Sequence, residues 1–135
     1  MQLKYVMTTS VSSVSPNDSV LAAVQIMKNR DVGAVPVCEN KEVKGMLTDR
    51  DIIIRGLANN TDIGSVKVKD IMTEQVIVGK SDMEIADAAT LMAENQVRRL
   101  PIIEHEKLAG IVSLADVADH CKDSLIGDTI QEISE

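Results

Sequence analysis

Aromatic residues are almost absent from this 135-residue sequence, which contains one Tyr, no Phe and no Trp. Stacking of bases on aromatic side chains, the usual way in which proteins hold single-stranded nucleic acid, is therefore excluded. The core must be built from aliphatic side chains, with seven Met residues as adaptable filling. A chain of this length makes one ordinary domain or two very small ones.

Basic residues are also scarce, because 14 Lys and Arg stand against 21 Asp and Glu and the net charge is −7. This charge argues against binding to nucleic acid or to an anionic membrane, since both select clustered cations. No apolar run approaches the ~20 residues of a membrane-spanning helix, and no charged-then-apolar leader is recognisable. We therefore expect a cytoplasmic protein with no nucleic-acid or membrane partner.

Constellations of reactive side chains are missing as well. Cys38 and Cys121 form no CxxC motif and no disulfide framework, so two free thiols in a reducing cytoplasm are the simplest interpretation. A bridge between them, or a metal shared with His105 or His120, is the alternative. The sequence contains no Ser-His-Asp arrangement, no GxSxG motif, no P-loop and no glycine-rich dinucleotide loop. We predict that the protein is not an enzyme.

What the chain does contain is an internal repeat with an offset of 65 residues. Val6-Met7-Thr8 aligns with Ile71-Met72-Thr73, and Pro36 and Gly45 align with Pro101 and Gly110. The helix-spaced apolar residues between these points keep the same register, and no gap is needed between residues 6 and 52. This agreement indicates a tandem duplication.

Each copy shows the same order of predicted elements, β-α-β-β-α. Short first strands are predicted at residues 11–14 and 76–78, each followed by a helix with apolar residues at helical spacing. Ser15-Pro16-Asn17-Asp18 is typical of a helix start, and Ser81 with Glu84 is predicted to form a capping box. The later elements are two hairpin strands and a closing helix, predicted at 34–38, 43–47 and about 49–57, and at 100–103, 108–112 and about 114–122.

The predicted domain limits follow from the repeat. The first repeat with its N-terminal segment covers 1–60, a polar linker 61–70, the second repeat 71–122, and a tail with helix-spaced Ile residues 123–135. One such unit buries too little surface to be comfortable alone, so we expect the two copies to pack their sheets around one shared core with pseudo-twofold symmetry. The predicted fold is mixed α/β, and clefts between the copies are expected to bind small molecules.

Polar residues follow the second hairpin strand of both copies in the pattern Gly-h-h-[Ser/Thr]-x-x-Asp. Thr48 and Asp51 take these places in the first copy, and Ser113 and Asp116 take them in the second. The pattern has two interpretations: a helix-capping box, or a hydroxyl and a carboxylate that both face a ribose. Cations suited to phosphate oxygens lie nearby in the sequence, namely Arg50, Arg55, Arg98 and Arg99.

In combination these motifs resemble the CBS domain, and two in tandem resemble a Bateman module. The resemblance covers about residues 6–57 and 71–122. It rests on Met-Thr before the first strand, on Gly33-Ala34-Val35-Pro36-Val37 and Arg98-Arg99-Leu100-Pro101-Ile102, and on the Ser/Thr-x-x-Asp motif. It implies a regulatory module that needs no cofactor, binds AMP, ADP, ATP or S-adenosylmethionine between the repeats, and signals to a regulated partner. It also implies a homodimer.

The resemblance also implies roles for particular residues. Riboses would be held by the hydroxyl and carboxylate residues Thr48, Asp51, Ser113 and Asp116, and phosphates by Arg50, Arg98 and Arg99. Adenine would lie against backbone and aliphatic groups near Val11, Ala34 and Val35, or near Val76, Arg99 and Leu100. Leu114-Ala115 replaces Asp49-Arg50, so the second cleft is expected to have fewer anion partners of its own. Two alternatives stay open: a scaffold in which these residues only cap helices, and a metal- or redox-responsive protein that uses Cys38 and Cys121.

Overall fold

The computed structural model describes residues 1–59 and 62–120. The predicted tail at 123–135 and Cys121 therefore lie outside the described residues. Packing divides the chain into two compact units: one comprises Ser12–Val76, and the other comprises Met1–Val11 and the chain from Ile77 onward. We call them the first-repeat unit and the second-repeat unit. Residues 1–11 were predicted to belong with the first repeat, and they pack instead in the second-repeat unit.

The first-repeat unit opens with helix α1, Val20–Arg30. The hydroxyl of Ser19 caps this helix by accepting a hydrogen bond from the Ala22 amide at 3.1 Å. Residues 15–18 form the turn predicted ahead of the helix, in which the Ser15 amide donates to the Asp18 carboxylate at 2.9 Å. The helix follows at Val20, with the N-cap Ser19 between it and the turn.

Strands β1, Ala34–Glu39, and β2, Glu42–Thr48, form the predicted antiparallel hairpin. At its tip Asn40 and Lys41 have φ values of 54° and 67°, the left-handed conformation that a two-residue hairpin turn requires. The predicted strand at 11–14 is wrong in extent. It is reduced to a single parallel bridge between Val14 and Val37.

The chain after β2 forms α2, Asp49–Asp51, which continues as a π-helical stretch, Ile52–Leu57. It then passes through a 3₁₀ turn, Ile63–Ser65, and α3, Val68–Ile71. The predicted linker at 61–70 is therefore not a simple spacer. Its apolar residues belong to the cluster of the first-repeat unit, which buries Val66, Val68 and Ile71.

The elements of the second-repeat unit repeat this plan: β3, Gly79–Lys80; α4, Ile85–Asn95; β4, Arg99–Glu104; β5, Lys107–Ser113; and α5, Leu114–Asp119. The strands form a sheet in the order β3-β4-β5. β3 pairs in parallel with β4, and β4 pairs antiparallel with β5, as the predicted hairpin requires. The strand predicted at 76–78 is displaced toward the C-terminus.

The capping box predicted for Ser81 and Glu84 is wrong. Glu84 itself is the N-cap of α4, and its side chain makes no capping hydrogen bond. Ser81 cannot start the helix because its backbone is already paired. Its carbonyl accepts from the Lys4 amide at 3.0 Å, and its amide donates to the Ile103 carbonyl at 3.3 Å.

Each unit has its own cluster of buried apolar side chains. Each cluster is completed by the segment that precedes the other repeat in the sequence. Leu3 is fully buried in the cluster of the second-repeat unit, and Met7 packs against that cluster. In the first-repeat unit, Ile71 is buried in the cluster and Met72 packs against it. No helix in the described part of the chain is long and apolar enough to cross a membrane.

Candidate functional site

The junction between β2 and α2 holds the predicted hydroxyl and carboxylate of the first repeat. The Thr48 hydroxyl accepts from the Asp51 amide, and the Asp51 carboxylate accepts from the Thr48 amide, both at 3.1 Å. This reciprocal pair is the capping box that the sequence predicted. Asp51 is only 7% exposed, so its carboxylate is almost closed off from solvent.

A second hydroxyl, which sequence reasoning missed, also reaches this carboxylate. Thr73 donates to Asp51 at 3.3 Å from Oδ1 and 3.4 Å from Oδ2. The backbone of Thr73 is fixed by two hydrogen bonds of 2.9 Å to Met46 in β2. Gly45 permits this approach, because a Cβ there would lie 2.5 Å from the Thr73 carbonyl oxygen. The repeated Met-Thr pair was the sequence signal for this contact.

The second-repeat unit has the same box between β5 and α5. The Ser113 hydroxyl accepts from the Asp116 amide at 3.1 Å, and the Asp116 carboxylate accepts from the Ser113 amide at 3.0 Å. Thr8 aligns with Thr73 and pairs its backbone with Ile111 at 2.9 and 3.0 Å. Its side chain is exposed, however, and among the residues described it makes no hydrogen bond to Asp116. Asp116 therefore stays partly exposed.

The first residue of the neighbouring strand lies opposite each capping hydroxyl. Ala34 is the register partner of Thr48, and Arg99 is the register partner of Ser113. The hairpins thus bring the predicted ribose residues beside the predicted adenine and phosphate residues of the same repeat. One junction carries a small apolar residue at this position and the other carries a guanidinium.

The two junctions also differ in charge at the residue that precedes each of these strands, Gly33 in the first repeat and Arg98 in the second. In the first repeat a Cβ on Gly33 would lie 3.0 Å from Oδ2 of Asp49, so a carboxylate covers this glycine. In the second repeat the aligned residues are Arg98 and Leu114, which is buried. Within residues 1–59 and 62–120, the guanidinium groups of Arg98 and Arg99 have no hydrogen-bond or ion-pair partner. The second junction is therefore the better match for phosphate oxygens.

The arginines of the first junction have different surroundings. Arg50 is exposed next to Asp51, and its amide donates to the Asp49 carboxylate at 2.8 Å. Arg55 lies on the π-helical stretch, where Nη1 donates to the Met72 carbonyl at 3.3 Å. Within the described residues the Arg50 guanidinium has no hydrogen-bond or ion-pair partner, and its role as a phosphate ligand stays a prediction.

The predicted adenine environment is only partly available. Val35 is 2% exposed and Leu100 is fully buried, so their side chains lie in the apolar clusters and a base can meet only their backbone. The prediction placed adenine against backbone and aliphatic groups near these residues, and it stays a prediction. Ala34 is partly exposed. The predicted groups also divide between units: Val11 lies in the second-repeat unit and Val76 in the first.

The residues proposed for a metal do not converge in the described part of the chain, where no group of three or more His, Cys, Asp and Glu could hold an ion. Cys38 is buried in β1. Burial raises the pKa of its thiol above the ordinary value of 9.0, and a hydrogen bond with Ser13 offsets part of this shift. His105 lies at the exposed tip of the β4-β5 hairpin.

Two mixed α/β repeats, each ending in a capped hydroxyl-carboxylate junction, define a tandem-repeat module. The CBS domain family model matches residues 3–57 and 68–123. The chain is 46% identical over 116 residues to the CBS domain-containing protein YhcV of Bacillus subtilis, covering 86% of this chain and 82% of that protein. It is 34% identical over 129 residues to hypoxic response protein 1 of Mycobacterium tuberculosis, covering 95% and 90%. The chain therefore belongs to the CBS domain family, as a tandem pair.

Solved structures agree with this assignment and confirm the predicted fold. The crystal structure of hypoxic response protein I with two coordinated zinc ions has a TM-score of 0.82 and 34% identity, covering 90% of this chain and 99% of that chain. The CBS domain pair of protein MJ0100, in complex with 5′-methylthioadenosine and S-adenosylmethionine, has a TM-score of 0.76, covering 95% and 97%. Its 22% identity shows the fold alone. CBS-domain pairs are regulatory ligand-binding modules.

Proposed function

We propose that this CBS pair binds an adenosine-type nucleotide, which is AMP, ADP, ATP or S-adenosylmethionine, and signals its presence to a regulated partner. The observation that carries the proposal is the duplicated junction. In each unit a hydroxyl and a carboxylate lie one helical turn apart, directly across a hairpin from the start of the neighbouring strand.

The chemistry of a ribose suits this junction. Its vicinal hydroxyls can donate to a carboxylate and accept from the hydroxyl of a Ser or Thr. In the second repeat, Asp116 has acceptor positions beyond the one used by the Ser113 amide. The Ser113 hydroxyl accepts from the Asp116 amide and keeps its own proton for donation. Arg98 and Arg99 supply cations for phosphate oxygens beside the same box.

Signalling requires that two conformations of the protein differ in their affinity for the nucleotide, because equal affinity shifts no equilibrium. We propose a cytoplasmic homodimer as the form that passes this change to its partner, with no cofactor and no catalytic step. A relative of the same fold, the CBS-CP12 protein of bloom-forming cyanobacteria, is described as hexameric, so assembly of copies occurs among proteins of this fold.

Isothermal titration calorimetry against AMP, ADP, ATP, S-adenosylmethionine and NAD tests the proposal. At least one of the adenosine ligands should release or absorb heat with saturation. Substitution of both carboxylates, Asp51→Ala with Asp116→Ala, should abolish that binding. Asp119→Ala, which removes an exposed acid of α5 outside the box, is the matched control and should bind like the wild type. Absence of heat from every ligand, with folded protein, contradicts the proposal and favours a scaffold whose junctions only cap helices.

A second candidate function is zinc responsiveness. It is favoured by one observation, the two coordinated zinc ions in the 34% identical structure of hypoxic response protein I. Zinc titration of the full chain, followed by thiol counting, tests it. Under this candidate zinc should bind and protect thiols, and Cys38→Ser or Cys121→Ser should weaken binding. Unchanged binding in both variants would remove the two cysteines from any zinc site.

A further inference from the structure

We infer that Thr73 occupies the ribose-binding carboxylate of the first repeat, so that the second repeat, through Asp116, is the one that takes a nucleotide first. This inference rests on the proposed function and assigns it to one of the two junctions. It also makes Thr73 a residue that determines how many ligands the chain holds.

The Asp51 carboxylate already accepts hydrogen bonds from two groups of the protein. It accepts from the Thr48 amide at 3.1 Å and from the Thr73 hydroxyl at 3.3 and 3.4 Å. A ribose hydroxyl that replaced Thr73 would exchange one hydroxyl donor for another. Such an exchange gains little free energy, because the same kind of hydrogen bond is lost and made.

Displacement of Thr73 would also cost more than its one side-chain hydrogen bond. Its backbone amide and carbonyl are both paired with Met46, each at 2.9 Å. The Thr73 carbonyl oxygen lies close to Gly45 in β2, where a Cβ would be only 2.5 Å from it, so the Thr73 backbone has no room to move toward β2. With Thr73 in place Asp51 is only 7% exposed, so little of its carboxylate is accessible to a ribose hydroxyl.

The aligned carboxylate of the second repeat lacks this occupant. Asp116 is partly exposed, and its only described donor is the Ser113 amide at 3.0 Å. Thr8 keeps the backbone pairing of its counterpart but leaves its side chain exposed. A ribose hydroxyl at Asp116 therefore replaces water and not a protein donor, and gains a hydrogen bond to a charged group.

Charge points in the same direction. An anionic phosphate near the first junction meets two carboxylates and one cation, which belong to Asp49, Asp51 and Arg50. At the second junction it meets one carboxylate and two cations, which belong to Asp116, Arg98 and Arg99. The balance of charge therefore favours an anion at the second junction and adds to the difference in available acceptors.

Calorimetry on the full chain with AMP, ATP and S-adenosylmethionine as probes tests the assignment. Wild type should bind one equivalent per chain. Asp116→Asn should weaken that binding by about tenfold or more, the loss expected for a hydrogen bond to a charged group, whereas Asp51→Asn should change it by less than about twofold. Thr73→Ala, which removes the hydroxyl and most of the side chain beside Asp51, should admit a second equivalent.

Two further variants separate the hydroxyl from its backbone. Thr73→Ser keeps the hydroxyl and should bind one equivalent, and Thr8→Ala alters the aligned residue and should also bind one. Binding that Asp51→Asn removes and Asp116→Asn leaves intact overturns this inference alone, as does a single equivalent in a folded Thr73→Ala. Absence of binding of all three probes to wild type and to Thr73→Ala overturns both this inference and the proposed function.

Discussion

The two units share one plan and differ in the use of the carboxylate at the start of the last helix. Both make the same reciprocal capping box, with hydrogen bonds of 3.0 to 3.1 Å. Only Asp51 has a further partner described, the Thr73 hydroxyl. The cap is thus the common structural role of Ser/Thr-x-x-Asp, and ligand binding depends on what else reaches the carboxylate.

The units are also alike in how they are completed. Thr73 pairs with Met46 of β2, and Thr8 pairs with Ile111 of β5. In each unit a Met-Thr segment that precedes one repeat in the sequence supplies apolar residues and an edge pairing to the other repeat. A domain limit drawn along the sequence therefore cuts across the packing.

The largest difference between the repeats should appear on removal of the two carboxylates. Asp51→Ala should lower the free energy of unfolding by about 3 kcal/mol, since it removes a cap and leaves two part-buried donors, the Thr73 hydroxyl and the Thr48 amide, without a partner. Asp116→Ala should cost about 1 kcal/mol, the value of a cap alone. Urea denaturation of both variants measures the difference. Equal losses would mean that the Thr73 contact contributes nothing to stability.

The repeated part of the fold could be predicted from the sequence because the same pattern of apolar and polar residues occurs in both copies. The offset of 65 aligned hairpins, caps and helices, and both capping boxes were found in this way. The sequence could not predict the effects of hydrogen bonds between residues that are far apart along the chain. The backbone of Ser81 is used by Lys4 and Ile103, so its capping pattern does not start a helix. The Thr73 contact and the buried faces of Val35 and Leu100 likewise depend on packing.

Substitution of the glycine at each edge pairing should give the next largest effect. Gly45→Ala should cost about 2 kcal/mol, because its Cβ would lie 2.5 Å from a backbone oxygen of Thr73. Gly110→Ala should cost somewhat less, about 1 kcal/mol, since its closest contacts are at 2.8 Å and one is the flexible Met7 sulfur. Gly64→Ala is the control, with no atom nearer than 3.2 Å, and should be nearly neutral. Thermal unfolding measures all three, and a neutral Gly45→Ala would refute the close approach.

Removal of the capping hydroxyl should destabilise the two repeats equally, unlike removal of the carboxylate. Thr48→Ala and Ser113→Ala should each cost about 1 kcal/mol, because both hydroxyls accept one amide hydrogen bond at 3.1 Å. Denaturant titration of the two variants side by side is the measurement. A gap of more than about 1 kcal/mol between them would show that the cap, and not the Thr73 contact, distinguishes the repeats.

The smallest expected effect concerns a position at which the repeats differ in chemistry, Cys38 in β1 and the aligned Ile103 in β4. Burial raises the pKa of the Cys38 thiol in the folded state above 9.0, so the folded protein holds this proton to higher pH than the unfolded chain does. Its contribution to stability is therefore complete below pH 9.0 and is lost as pH rises through the raised pKa. Two proteins are compared, Cys121→Ser and the double variant Cys121→Ser with Cys38→Ala. Between pH 7 and pH 11 the free energy of unfolding should fall more steeply in the first, which keeps the buried thiol. Parallel pH profiles would contradict the burial of this thiol, since every other titrating group is the same in the two proteins.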